Sequence, residues 1–110
     1  MTAAKAPSGD ELLAVCEALA NPHRLKVIAL LHCRRIHVSQ LAREMKISRP
    51  LLYMHLRRLE KAGLVTSNVE LSADGKAMNY YQVNPFVIQL SPGYIAEAVK
   101  TLTDKQSGQI

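Results

Sequence analysis

Apolar positions along the chain repeat mostly with a helical period, and polar capping residues mark where each repeat begins. Leu12, Val15, Cys16 and Leu19 share one stripe. Ser8 and Glu11 precede it with the spacing of a capping box, so a first helix is expected to about Leu19. Asn21-Pro22 supplies an N-cap and a proline at the first helical position. The helix it opens runs through His32 and presents Leu25, Ile28, Ala29 and Leu31, with Val27 and Leu30 widening the apolar face. Arg34 and Arg35 sit where cations suit the negative end of a helix. Ile36 to Val38 is short and β-branched at both ends, the pattern of a brief strand beside a later hairpin.

Ser39 to Met45 is a short third helix with Leu41, Ala42 and Met45 inward. Lys46-Ile47 turns the chain into a fourth. There Ser48 is the N-cap, Pro50 lies in the first turn, and Leu52, Leu56 and Leu59 form the apolar stripe. Gly63 stops it, as a glycine just past a helix commonly does. The period then changes to strands over 64–72 and 77–84. Asp74-Gly75 between them predicts a type I′ turn, which sets Leu71 opposite Met78 and Val69 opposite Tyr80. In that register Leu64, Thr66, Tyr81 and Val83 face the core. Asn84-Pro85 ends the hairpin, Phe86 to Leu90 is an apolar connector, and Ser91-Pro92 opens a last helix to about Thr103. Ile95, Val99 and Leu102 share one of its faces.

Helix, helix, strand, helix, helix, hairpin, helix is the order of a winged helix-turn-helix. The expected fold is mainly α (α+β), with about five helices and a two-stranded β-wing. Residues 1–7 are expected to form a flexible N-terminal arm, 8–103 the domain with terminal dimerisation helices, and 104–110 a flexible tail.

Composition narrows the picture. A chain of 110 residues, 48% hydrophobic and 21% charged, suits a single globular core. The formal net charge of +5 is unevenly spread. From Asn21 to Gly63 ten Lys and Arg stand against two acids, so that segment carries +8 and the remainder −3. All four histidines fall in it too. Such asymmetry favours a polyanionic partner over a merely solvated face. Two cysteines, Cys16 and Cys33, do not make a disulfide framework, and no apolar run reaches 18 residues. With no apolar signal core at the N-terminus, a cytoplasmic, nucleoid-associated protein with reduced thiols and no membrane contact is expected.

Several stretches carry a family resemblance. AlaLeuAlaAsnProHisArgLeu at 18–25, SerGlnLeuAlaArgGluMet at 39–45, His55-Leu56, LeuGluLysAlaGlyLeuVal at 59–65 and the aromatic pair Tyr80-Tyr81 resemble ArsR-type transcription regulators. The resemblance covers about residues 11–86. It implies a homodimeric, sequence-specific binder of double-stranded DNA, usually a repressor. The first and last helices would pair across the dimer through Leu12, Val15, Leu19, Ile95, Val99 and Leu102. The Ser48–Ala62 helix would lie in the major groove.

The sequence departs from the family at three places. Lys46 stands where a glycine is common before the recognition helix. The outer recognition positions, Arg49, Pro50, Leu51, Tyr53 and Met54, are bulkier than usual. The metal motifs that some members carry are missing, so no metal and no cofactor is expected.

Candidate DNA contacts are Ser39, Gln40, Ser48, Arg49, Pro50, Tyr53, Met54, Arg57, Arg58, Lys61 and Lys76. Arg49 can meet a guanine edge bidentately or hold a phosphate. Tyr53 can touch sugar or a thymine methyl, or pack within the domain. Arg57, Arg58 and Lys61 suit backbone contacts, and Lys76, the wing tip's one cation, reaches phosphate at best. His55 is expected to be structural. Cys33 and His37 flank a helix end and need not share a face, and Cys16 and Cys33 fit small packing residues better than a redox pair. No phosphate loop or catalytic constellation is present, so the chain is not expected to be an enzyme. The rival readings are a winged-helix module that binds protein through Leu51, Tyr53 and Met54, and a nonspecific chromosomal coat protein. No small-molecule effector can be named from the residues.

Overall fold

The computed structural model describes residues 7–103; the expected tail and all but Pro7 of the expected arm lie outside the described residues. Five helices and three strands follow one another as α1 (Gly9–Leu19), α2 (Pro22–Leu31), β1 (Ile36–His37), α3 (Val38–Met45), α4 (Arg49–Lys61), β2 (Val65–Leu71), β3 (Ala77–Val83) and α5 (Pro92–Val99). This is a winged helix-turn-helix. The strands form one antiparallel sheet in the order β1-β3-β2, so the short strand expected at 36–38 adds a third member to the wing.

The caps fall where the sequence placed them. The Glu11 N–H donates to Ser8 Oγ at 3.1 Å, and the Ser8 N–H donates to Glu11 Oε1 at 2.8 Å. Asn21 Oδ1 accepts from the His23 and Arg24 N–H groups. Ser91 Oγ accepts from the Tyr94 N–H at 3.1 Å. Each satisfies an orphan donor of a helix start.

Leu31, Leu41, Leu52, Leu56, Leu59, Val27 and Val65 are the largest fully buried side chains. They draw α2, α3, α4 and the base of the sheet into one core. In α2 the inward stripe differs from the one expected. Arg24, Val27 and Leu31 face in, whereas Leu25 is 54% exposed and Ala29 is exposed. The unbroken apolar run at 27–31 fits more than one inward face, and the charged Arg24 gives no apolar signal of its burial.

The hairpin corrects the sequence in a second way. Its loop has three residues, Ala73 to Gly75. The Ser72 N–H donates to the Lys76 carbonyl and the Gly75 N–H to the Ser72 carbonyl. Gly75 alone takes a positive φ, +85°, so the turn is not type I′ but a turn followed by a left-handed glycine. The extra loop residue moves the register by one. Leu71 pairs with Ala77, Val69 with Asn79, and Val65 with Val83. Val65 therefore points into the core in place of Thr66, which is exposed, while Leu64 and Tyr81 are buried as expected.

At the chain's two ends α1 and α5 pack closely. A Cβ on Gly9 would overlap the Ala98 carbonyl oxygen. The Gly9 N–H donates to Thr101 Oγ1 at 2.7 Å, and Asp10 Oδ1 accepts from the Thr103 N–H. Helix α5 ends at Val99, four residues before the expected limit, and a turn continues it.

Candidate nucleic-acid interface

Helices α3 and α4 are joined through Lys46, whose φ of 58° and ψ of 43° place it in the left-handed region. The Ile47 N–H donates to the Ala42 carbonyl at 3.2 Å and closes the turn. A glycine would adopt this geometry without cost. The neighbouring core over-determines it, since Leu41 and Leu52 on either side of the turn are fully buried.

Ser48 Oγ accepts the Leu51 N–H at 3.3 Å and starts α4, with Pro50 in the first turn. Leu52, His55, Leu56 and Leu59 hold its inner face in the core. Turning 100° per residue from that face brings Pro50, Met54, Arg57 and Lys61 to the outside. All four are exposed, as are Ser48, Arg49 and Arg58. Tyr53 is half-buried and packs against the core, one of the two alternatives its spacing allowed. Glu60 is drawn away from the outer face by the Ser67 hydroxyl of β2, which donates to it at 3.0 Å.

Arg49 Nη1 donates to Ser39 Oγ at 3.0 Å. The start of α4 is thereby tied to the first turn of α3, and two of the predicted contacts come together. The N-cap position of α3 is His37, which makes no side-chain cap hydrogen bond, so this helix start lacks the side-chain cap that the other four helices have. Gln40 is already engaged, since its amide donates to Glu44 Oε2 at 2.8 Å. That hydrogen bond, followed by one from Arg34, keeps the Glu44 carboxyl below its ordinary range.

Three bases of the positive segment are used within the chain. Arg24 is buried, Arg34 pairs with Glu44 at 2.6 Å, and Arg35 pairs with Glu70 at 2.7 Å. Arg43, Lys46, Arg49, Arg57, Arg58 and Lys61 are exposed on α3, the turn and α4, with no ion pair among the described residues. Arg43 and Lys46 belong to this set although motif spacing did not single them out; their signal was charge alone.

The wing contributes little charge. Lys76 is exposed beside Asp74, whose carboxyl is held low by the Ser72 hydroxyl and then by the Lys76 N–H. Val69 and Leu71 leave apolar surface on β2. At the wing base the aromatic pair splits between two faces, as strand alternation requires. Tyr81 is buried, and desolvation raises its hydroxyl pKa. Tyr80 carries the Arg35 guanidinium 4.0 Å above its ring and the edge of His37.

A family model described as bacterial regulatory protein, arsR family, matches residues 21–67, which span α2, α3, α4 and the start of β2. An uncharacterized HTH-type transcriptional regulator of Methanocaldococcus jannaschii is 40% identical over 70 residues, 64% of this chain and 73% of the relative. The chain belongs to the ArsR family. It is accordingly a DNA-binding transcriptional regulator and not an enzyme. Among solved structures, HlyU from Vibrio vulnificus is 26% identical, with a TM-score of 0.57 and 83% of each chain covered. The transcriptional repressor BigR from Xylella fastidiosa, 18% identical with a TM-score of 0.58, covers 83% of this chain and 82% of its own and shares the fold.

The remaining predicted positions sort by exposure. Of the dimer candidates, Leu12 is buried within the chain, Val15 and Leu19 pack on its core, and Leu102 is half-buried. Ile95 and Val99 are 45% and 55% exposed. Among the described residues no group of three or more His, Cys, Asp or Glu is arranged to hold a metal ion. Cys33 Sγ lies 3.5 Å from His32 Nε2, while His37 is turned to Tyr80. No helix of the described residues is long and apolar enough to cross a membrane.

Proposed function

We propose that this regulator is a homodimer that reads duplex DNA with α4 and acts as a repressor without the metal sites common in its family. The outer face of α4 carries the reading. Pro50, Met54, Arg57 and Lys61 project from a helix whose opposite face is locked in the core, so the reading surface is rigid before DNA arrives. Arg49 and the start of α3, which lacks a side-chain cap, suit a phosphate or a guanine edge at the helix junction. Arg43, Lys46, Arg57, Arg58 and Lys61 supply the sequence-independent attraction. Pro50 and Met54 match apolar groups such as a thymine methyl. The wing, with Lys76 alone at its tip, plays a minor part.

Dimerisation rests on α1 and α5. Ile95 and Val99 on α5 and Leu13 on α1 are large apolar side chains exposed in the single chain. A second copy would cover them and set two α4 helices about 34 Å apart, one turn of DNA. The repressor assignment rests on the family alone. Location in the cytoplasm on the nucleoid follows from the same reading.

Gel-shift titration of a random-sequence duplex pool and of a duplex selected from it tests this. The selected duplex should bind more tightly, and affinity for both should fall at least about a hundredfold between about 50 and 200 mM salt. Equal affinity for both would support chromosome coating, and salt-independent binding would reject the phosphate-contact account.

A further inference from the structure

Arg24 is the one arginine among the buried residues, 8% exposed, and it has no carboxylate partner among the described residues. Its guanidinium instead joins two elements. Nε donates to the Ala18 carbonyl at 2.6 Å and Nη2 to the Glu17 carbonyl at 3.4 Å, both at the C-terminal end of α1. Nη1 lies 3.1 Å from Nδ1 of His55, a residue of α4 that is only 4% exposed. The negative end of the α1 dipole thus balances the buried cation, and His55 takes its remaining donor. A guanidinium can only donate, so His55 Nδ1 accepts and its ring is neutral. The His23 ring centroid stands 5.1 Å away and closes the cluster, with its own Nδ1 buried and without a hydrogen-bond partner among the described residues.

We propose that the Arg24–His55 contact sets α4 against the α1–α2 elbow, making both side chains positioning residues for DNA binding, and that a proton on His55 releases the helix. The inference rests on α4 being the DNA-reading helix. One side of the contact is anchored on α1, a helix assigned to the dimer, and the other lies on the inner face of α4, behind Met54 and Arg58. The contact therefore links the two working surfaces directly.

Protonation would put an N–H on Nδ1, facing the N–H of Arg24, and two positive charges in a buried site. Desolvation first, then Arg24, His23 and Arg58, push the His55 pKa below its ordinary 6.5. The groups acting on the ring are basic ones from α2 and from α4 itself. No carboxylate of α1, α3 or β2 is among them. The sign follows directly. Above about 6.5 the ring is neutral both folded and unfolded. As pH falls below that value the unfolded chain takes up a proton that the native contact refuses, so the contact's contribution to stability and its hold on α4 are lost progressively.

Fluorescence anisotropy with a duplex selected from a random-sequence pool tests the coupling, with the folded fraction of each sample measured by circular dichroism. The variants are Arg24→Lys, Arg24→Met, His55→Asn and Arg49→Ala. His55→Asn keeps an acceptor near the Nδ1 position that does not titrate. From about pH 7.5 to 5.5 the Kd of the folded wild type should rise by more than that of folded His55→Asn, and by less than about tenfold, the ceiling for a single proton on a group whose pKa lies below 6.5. Arg24→Lys and Arg24→Met, where folded, should bind at least about tenfold more weakly at the higher pH. Equal pH ratios in wild type and His55→Asn would overturn the proposal, as would wild-type affinity in folded Arg24→Lys. If Arg24→Met does not fold, the His55→Asn ratio still decides. Arg49→Ala separates the two claims. Unchanged binding there rejects α4 as the reading helix, whereas weakened binding there with equal pH ratios rejects only the coupling.

Discussion

Among the described residues two other than glycine hold a left-handed backbone, Cys33 at φ 67° and Lys46 at φ 58°. Each ends a helix where the chain must reverse, and each carries a Cβ that this conformation disfavours by about 1–2 kcal/mol. Cys33 is exposed and lies off the outer face of α4, so Cys33→Gly should stabilise the fold by about 1 kcal/mol. A urea titration checks it: the midpoint rises, and an unchanged midpoint would argue against the left-handed geometry. The Lys46 conformation was legible because the family places a glycine there. That of Cys33 was not, since nothing in HisCysArgArg marks a turn. Arg24 shows the same limit. As a letter it belonged to a basic run, and only folding shows that its charge meets the α1 carbonyls.

At the level of elements, the sequence located all five helices because each start carries a local signal or a strong period. Caps act within three or four residues and need no tertiary knowledge. The hairpin register needed more. Asp74-Gly75 suits a two-residue loop, yet Ser72 accepts the Gly75 N–H and adds a residue, which carries Val65 rather than Thr66 inward. The α2 stripe was misread for another reason: residues 27–31 are apolar at every position and fit more than one inward face, while Arg24, being charged, carries no apolar signal of its burial. The proposed division of labour between α4 and the wing gives an element-scale prediction. Lys76→Ala should change DNA affinity less than about threefold, whereas Arg57→Ala should weaken it about threefold to tenfold. Anisotropy titrations of the two variants at one salt concentration compare them. A larger loss from Lys76→Ala would move the reading surface to the wing.

For the whole molecule, exposed apolar surface is what supports the proposed dimer. Ile95 and Val99 protrude from α5, and Val87 and Leu90 extend the apolar strip along the preceding connector. Val99→Asp should give a folded monomer in sedimentation equilibrium and lose at least about a hundredfold in affinity for the selected duplex, because two half-sites are no longer held together. A dimeric Val99→Asp protein would place the interface elsewhere. The proposed dimer surface could be drawn only in part from the sequence. Periodicity marks Leu12 as well as Val99 as apolar, and only the fold shows that Leu12 is buried within one chain while Val99 is exposed.

Hydroxyl-radical footprinting of the selected duplex, with wild type and Arg49→Ala titrated in parallel, tests most directly whether a dimer reads DNA through α4. The account predicts two protected patches centred about ten base pairs apart, lost in Arg49→Ala at concentrations where the wild type protects fully. A single patch, or protection by Arg49→Ala at wild-type concentrations, would contradict it.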